Sequence, residues 1–181
     1  MFLFVTIFGR LNSNGYRSDI VDIVRNGAKA HGLNEAIVLG LVEQESQFNP
    51  YAFRLEPHMW ERVQAIPYEK LSGHKPQTLP TKHTERVARA ISWGLTQILG
   101  ESARHYLKFA DDNLTQLLDP TINVELGCCF LSRLYAASKG TTQIEKYRAA
   151  LLAYNGGGNK RYPDDVFAKA KRWGLVYDQR D

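Results

Sequence analysis

Apolar residues recur at helical spacing from Ile20 onward. Ile20, Val21, Ile23, Val24 and Ala28 form one stripe, with Ser18 and Asp19 as cap candidates before it and His31-Gly32 closing it. That spacing predicts a helix over 18 to about 29. Asn34 is placed to cap a second helix, with Glu35 in its first turn, running to about Phe48 where Asn49-Pro50 stops it. Further helical stretches are expected over 84–91, 96–107, 121–138, 143–154 and 164–173, with a short helical turn at 114–118. The strongest is 121–138, whose stripe reads Ile122, Leu126, Cys129, Phe130, Leu134 and Ala137. Gly156-Gly157-Gly158 halts the stretch before it. No alternating strand pattern of any length and no internal repeat interrupts this series. The expected fold is mainly α, one domain over 1–181, with at most a small β-hairpin within 53–91.

Between 53 and 80 the texture changes. Pro57, Pro67, Pro76 and Pro80 recur, with Ser72-Gly73 and polar residues between them and one short helical piece near 59–64. A loop this long is uncommon inside a compact domain and usually serves as a lid or wall.

Composition narrows the class. The 181 residues are 44% hydrophobic and 23% charged, enough to bury a core without disulfides or a structural metal. The net charge of +4, from 23 Lys+Arg against 19 Asp+Glu, suits an anionic polymer without selecting one. No dense Lys/Arg run is interleaved with aromatics, so nucleic acid is not an expected partner. No apolar run approaches the roughly 20 residues that span a bilayer. The apolar start, 1–8, lacks a basic segment before it and a small-residue cleavage site after it, and reads as a buried strand, a helix start or a docking segment rather than a leader. Cys128 and Cys129, the only cysteines, are neighbours and read as two small helix-borne thiols, not a bridge. His31, His58, His74, His83 and His105 show no paired ligand spacing, so a metal site is not expected.

The informative residue is a glutamate on an apolar face. At about 100° per residue, Ile37, Val38, Leu41, Val42 and Phe48 cluster on one side of the second helix. Glu45 falls among them, whereas Glu43 falls nearly opposite, where a solvated carboxylate belongs. A half-buried Glu has a raised pKa and stays protonated near neutrality, which is what a general acid needs. The alternative is a helix end at which Glu45 reaches solvent or pairs with an Arg.

Four strings follow in order. They are Glu45-Ser46-Gln47-Phe48-Asn49-Pro50, Ser92-Trp93-Gly94-Leu95-Thr96-Gln97, Leu118-Asp119-Pro120-Thr121-Ile122-Asn123 and Ala153-Tyr154-Asn155-Gly156-Gly157. Together, over roughly 20–161, they resemble the lytic transglycosylases of the soluble (SLT) type, relatives of goose-type lysozyme. The resemblance implies a lysozyme-like helical domain. It places the catalytic acid on Glu45, with Ser46 holding the local backbone, Gln97 facing a glycan cleft, Ser92 near the acid, Tyr154 beside it and Asn155 fixing the following turn. Trp93, inside a motif, is expected to border the cleft. Thr96, Gly100 and Gly156 depart from the usual Met, Pro and Ala, and 53–91 is an insert expected to form part of the cleft wall. Within it, Arg54-Leu55-Glu56-Pro57 looks like the Arg-x-Glu-Pro string of phage-type members.

What the resemblance implies chemically is cleavage of the β-1,4 bond between N-acetylmuramic acid and N-acetylglucosamine in peptidoglycan. One glutamate serves as acid and then base, with the sugar's N-acetyl oxygen assisting and a 1,6-anhydro ring as product, and no metal or cofactor is required. Glu56 marks the alternative: near the cleft it would position water for a muramidase, otherwise it forms a structural pair with Arg54. Glu61, Glu85 and Glu101 read as surface carboxylates. A third reading, from another class, is a non-catalytic glycan-binding module such as a phage tail part. The expected setting is a phage or prophage protein acting as a monomer at the bacterial cell wall, as an endolysin or virion component.

Overall fold

A computed structural model of the chain describes residues 15–71, 73, 81–110 and 113–176. The apolar start and the stretch containing Ser72, His74, Pro76 and Pro80 lie outside the described residues. The elements run in the order α1 (Ser18–Ala30), α2 (Glu35–Ser46), β1 (Phe53–Leu55), α3 (Pro57–Ala65), α4 (Lys82–Arg89), β2 (Ile91–Trp93), β3 (Ile98–Leu99), α5 (Gly100–His105), α6 (Pro120–Ala137), α7 (Gln143–Tyr154) and α8 (Tyr162–Arg172). Short 3-10 turns fill Tyr68–Lys70 and Leu114–Leu118. The mainly helical expectation holds.

α1 buries Ile20, Val21, Val24 and Ala28, the expected stripe, but Ser18 and Asp19 lie inside its first turn and Arg17 stands at the cap position. α2 starts as expected, with the Asn34 side chain accepting from the Ile37 N–H at 3.2 Å. Its burial is not one-sided: every residue from Ala36 to Glu43 is buried. α2 is the central helix of the main core, surrounded by α1, α8 and the Leu95 turn, so the face carrying Glu43 is covered rather than solvated. Gly40 makes this possible, since a Cβ there would sit 2.7 Å from the Val166 carbonyl oxygen and 2.8 Å from the Ala170 nitrogen of α8.

α6 joins two cores. Val124, Cys128 and Leu131 enter the main one, while Ile122, Leu126 and Phe130 pack against a second cluster of Ala88, Trp93, Ile98, Ala103, Leu114 and Leu117. The expected stripe is split between the two, with Ile122, Leu126 and Phe130 on the second core and Leu134 on the main one, and it leaves out Val124, Cys128 and Leu131. Cys128 is buried, Cys129 half-buried, and both are free.

Two strands of the small sheet come from the ends of the insert, which the expected hairpin allowed, whereas β3 falls in a stretch expected to be helix. β2 pairs antiparallel with β1, Arg54 opposite Ser92, and with β3, Trp93 opposite Ile98. The two ends of the insert thus meet in the sheet, and 96–107 is not one helix but a tight turn, β3 and α5. The turn is a left-handed one: Gly94 has φ +66° and Gln97 φ 48°. Asn123 of α6 holds it from beneath. Its side-chain oxygen accepts from the Thr96 N–H and hydroxyl, each at 2.8 Å, and its amide donates to the Trp93 and Leu117 carbonyls, each at 2.8 Å. Asn123→Ala strands these buried groups and is expected to lower the unfolding free energy by roughly 2–3 kcal/mol in urea titration, a change under about 0.5 kcal/mol excluding this role.

α4 and α5 meet over a buried ion network. Glu85, read as a surface carboxylate, is fully buried with Arg89 and Arg104. Glu101 is largely covered and receives Arg89 at 2.8 Å. Glu61 is exposed, as expected.

Candidate active site

The last turn of α2 aims Glu45 into a cavity of about 330 Å³ between the main helical core and the sheet lobe. Glu45, Arg54, Glu56, His58, Ser92, Gln97, Phe130, Tyr154, Asn155 and Gly156 are among the residues that line it. Six of the eight residues singled out in the sequence are brought together there. Ser46 and Trp93 are not on its wall.

Ser46 works behind the wall. Its hydroxyl donates to the Leu95 carbonyl at 2.8 Å and to Val42 at 3.1 Å, tying the end of α2 to the turn that carries Gln97. Gln47 and Phe48 follow with φ of 52° and 61°, left-handed values costly for non-glycine residues at about 1–3 kcal/mol each. Trp93, read as bordering the cleft, is buried in the second core and donates its indole N–H to the Ala88 carbonyl at 3.0 Å. Strand alternation explains it: Ser92 faces the cavity, so its neighbour faces away.

Glu45 is half-buried. Its carboxyl pKa is raised above the ordinary 4.5, first by burial and further by the nearby Glu56 charge, while the Tyr162 hydroxyl and the Arg54 charge pull the other way. Tyr162, at the start of α8, donates its phenolic hydrogen to the Glu45 carboxylate. Its own ionisation is pushed far up by burial and by Glu45. Tyr154 closes the other side, donating to the Thr96 carbonyl at 2.8 Å, with its ionisation also raised by burial and by the Glu45 charge.

Glu56 stands at the N-cap position of α3 without its side chain making a cap bond, and faces the same cavity. One of its oxygens takes Arg54 at 2.8 Å and the Ser92 hydroxyl at 2.8 Å. Both sequence readings of Glu56, cleft carboxylate and partner of Arg54, describe its position. Gln97 donates its amide to the Gly94 and Ala52 carbonyls at 2.9 and 3.2 Å, bracing the turn against the strand that follows α2. Asn155 ends α7 and is exposed at the rim. Among the described residues no group of three or more His, Cys, Asp or Glu is placed to hold a metal ion.

Tyr162 was missed in the sequence. It lies 117 residues from Glu45, and only the crossing of α8 over α2 unites them. The available signal was Pro163, since proline favours the first turn of a helix and moves the expected start from 164 back to Tyr162.

Residues 22–171 match the family model described as "Transglycosylase SLT domain". The chain is similar to proteins named membrane-bound lytic murein transglycosylase C. It is 25% identical to that of Cronobacter sakazakii over 144 residues, 76% of this chain and 31% of the relative. It is 26% identical to that of Pectobacterium atrosepticum over 143 residues, 75% of this chain and 30% of the relative. The chain thus spans about a third of the length of these curated relatives. No solved structure matches it. No described helix is long and apolar enough to cross a membrane.

Proposed function

Since the chain belongs to the transglycosylase SLT domain family, we propose that it cleaves the β-1,4 bond between N-acetylmuramic acid and N-acetylglucosamine in peptidoglycan as a lytic transglycosylase. The observation that carries this reading is a carboxyl with a raised pKa, Glu45, opening into a cavity that it shares with Arg54, Glu56, Ser92 and Gln97. Protonated Glu45 gives its proton to the glycosidic oxygen as the bond to the muramyl C1 breaks. The N-acetyl oxygen of the muramyl residue closes on C1 and meets the positive charge there. The Glu45 carboxylate, stabilised by the Tyr162 hydroxyl, then takes the proton of the muramyl 6-hydroxyl as O6 bonds to C1 and the N-acetyl oxygen leaves. The proton returns to Glu45, and no water is consumed. In this scheme Ser92, Gln97, Tyr154 and Asn155 border the glycan.

A second reading rests on Glu56, which shares the cavity with Glu45. Were it to position a water, the same bond would be hydrolysed. Its Arg54 and Ser92 partners occupy one carboxylate oxygen and favour the lyase. Mass analysis of muropeptides released from sacculi separates the two. Anhydro ends, lighter by one water than reducing ends, are expected; reducing ends alone refute the lyase, and binding without release refutes both. The Arg54-Leu55-Glu56-Pro57 string supports a phage or prophage setting, with a monomer acting at the cell wall.

A further inference from the structure

Glu43 is a buried acid that the reaction does not use. It lies two residues before Glu45, about 200° around the helix, so the two carboxylates leave α2 on opposite sides. Both nevertheless reach the same neighbour. Glu45 takes the Tyr162 hydroxyl at the start of α8. Glu43 takes Arg172 at its end and the indole N–H of Trp173 just beyond, at 2.7 Å. Between these contacts Val166 and Ala170 press their backbone onto Gly40. α8 is therefore a bar lying across α2, seated on Gly40 and tied at each end by a glutamate.

The Glu43 end also holds the left-handed turn after Glu45. The Phe48 ring lies 4.4 Å from Tyr16 and 5.3 Å from Trp173. Tyr16 directs its hydroxyl to the Glu43 carboxylate. The Arg172 side chain is 56% exposed, and an ion pair so open to water adds little stability by itself.

We propose that Glu43 is a positioning residue for Glu45: by holding Arg172, Trp173 and Tyr16 it seats α8 so that the Tyr162 hydroxyl meets the Glu45 carboxylate, and it braces the Gln47–Phe48 turn. This rests on reading Glu45 as the general acid.

The test compares Glu43→Ala, Glu43→Gln, Tyr162→Phe and the double variant Glu43→Ala/Tyr162→Phe in the full chain, reading muropeptide release from sacculi against pH beside thermal unfolding. Tyr162→Phe removes a donor that favours the Glu45 carboxylate, so Glu45 keeps its proton to higher pH. The alkaline limb is expected to rise by about 0.5–1 pH unit, with roughly tenfold slower release at the optimum. Glu43→Ala is expected to raise the limb in the same direction, and Glu43→Gln, which keeps an acceptor for Trp173, to raise it less. Direct loss of the Glu43 charge would act oppositely, because removing a negative charge lowers a neighbouring carboxyl pKa. The double variant is expected to match Tyr162→Phe alone. The other groups facing Glu45 are Tyr154 from α7, Arg54 from β1, Glu56 at the α3 cap and His58 in the same cavity; all are common to the four variants. A limb unmoved or lowered in Glu43→Ala, or effects that add in the double variant, overturns the proposal. Should Glu43→Ala fail to fold, Trp173→Phe with Glu43→Gln carries the same comparison. Full activity in Glu45→Gln would instead refute the general-acid reading beneath it.

Discussion

With glutamine in place of Glu45, muropeptide release is expected to fall by roughly 10²–10⁴-fold, the contribution of a positioned general acid. Glutamine fills the same space and still accepts from Tyr162, but it has no proton to give the glycosidic oxygen. The fold is expected to survive, and the sign of the pKa shift says more. The folded-state pKa of Glu45 lies above its ordinary 4.5, so its favourable contribution to stability is whole below that value and is lost as pH rises through the folded-state value. Glutamine titrates nowhere and escapes that loss. At pH above neutrality the variant is therefore expected to unfold at the same temperature as the native chain or higher, while activity is gone. A variant that keeps most of its activity removes Glu45 from the reaction. One that loses activity only because it unfolds leaves Glu45 a structural acid. The same burial predicts that native activity declines as pH rises through the Glu45 pKa, since the reacting form is the protonated one.

The largest stability effect is expected at Glu85. Its carboxylate accepts Arg89 Nε and Arg104 Nε, each at 2.9 Å, and a second bond from Arg104 at 3.1 Å. All three side chains are fully buried. Glu85→Ala takes from two buried guanidinium groups the carboxylate they share. Removing one partner from such a network costs about 3–5 kcal/mol, because the remaining charge has no water to return to. The loss is expected to fall on the sheet lobe, since α4 and α5 flank β2 and β3. Urea titration with Glu61→Ala as reference checks it: the exposed Glu61 should change stability by less than about 0.5 kcal/mol. Equal, small changes in both variants would mean that the network contributes no net stability.

Glu85 also shows where sequence reasoning stops. The stretch Lys82-His83-Thr84-Glu85-Arg86-Val87-Ala88-Arg89 is polar except at Val87 and Ala88, too few apolar positions to mark Glu85 and Arg89 as buried beside Ala88. The burial comes from α5, which supplies Arg104 and Glu101 to complete the charges. Glu43 fails for a related reason. The helical wheel counts one apolar face, but α2 is covered on all sides, and a helix with no solvent face gives a wheel no opposite side to interpret. Thr96 and Gln97, which open the helix expected over 96–107, belong instead to a tight turn that Asn123, 26 residues beyond Gln97, imposes.

α1, α2 and α7 were legible in the sequence because local apolar spacing, with the Asn34 cap at the start of α2, fixes a helix with little help from the rest of the chain. Glu45 was legible because a carboxyl among apolar neighbours on its own helix is a local contradiction, visible without a partner. Glu56, Ser92, Gln97, Tyr154 and Asn155 were legible only as motif positions. That they meet in one cavity, that Ser46 and Trp93 stand behind it, and that Tyr162 reaches Glu45 was decided by tertiary structure. Those facts depend on how α8 crosses α2 at Gly40 and how the two ends of the insert pair as β1 and β2. Long-range packing sets these relations, and residue order along one element does not encode them.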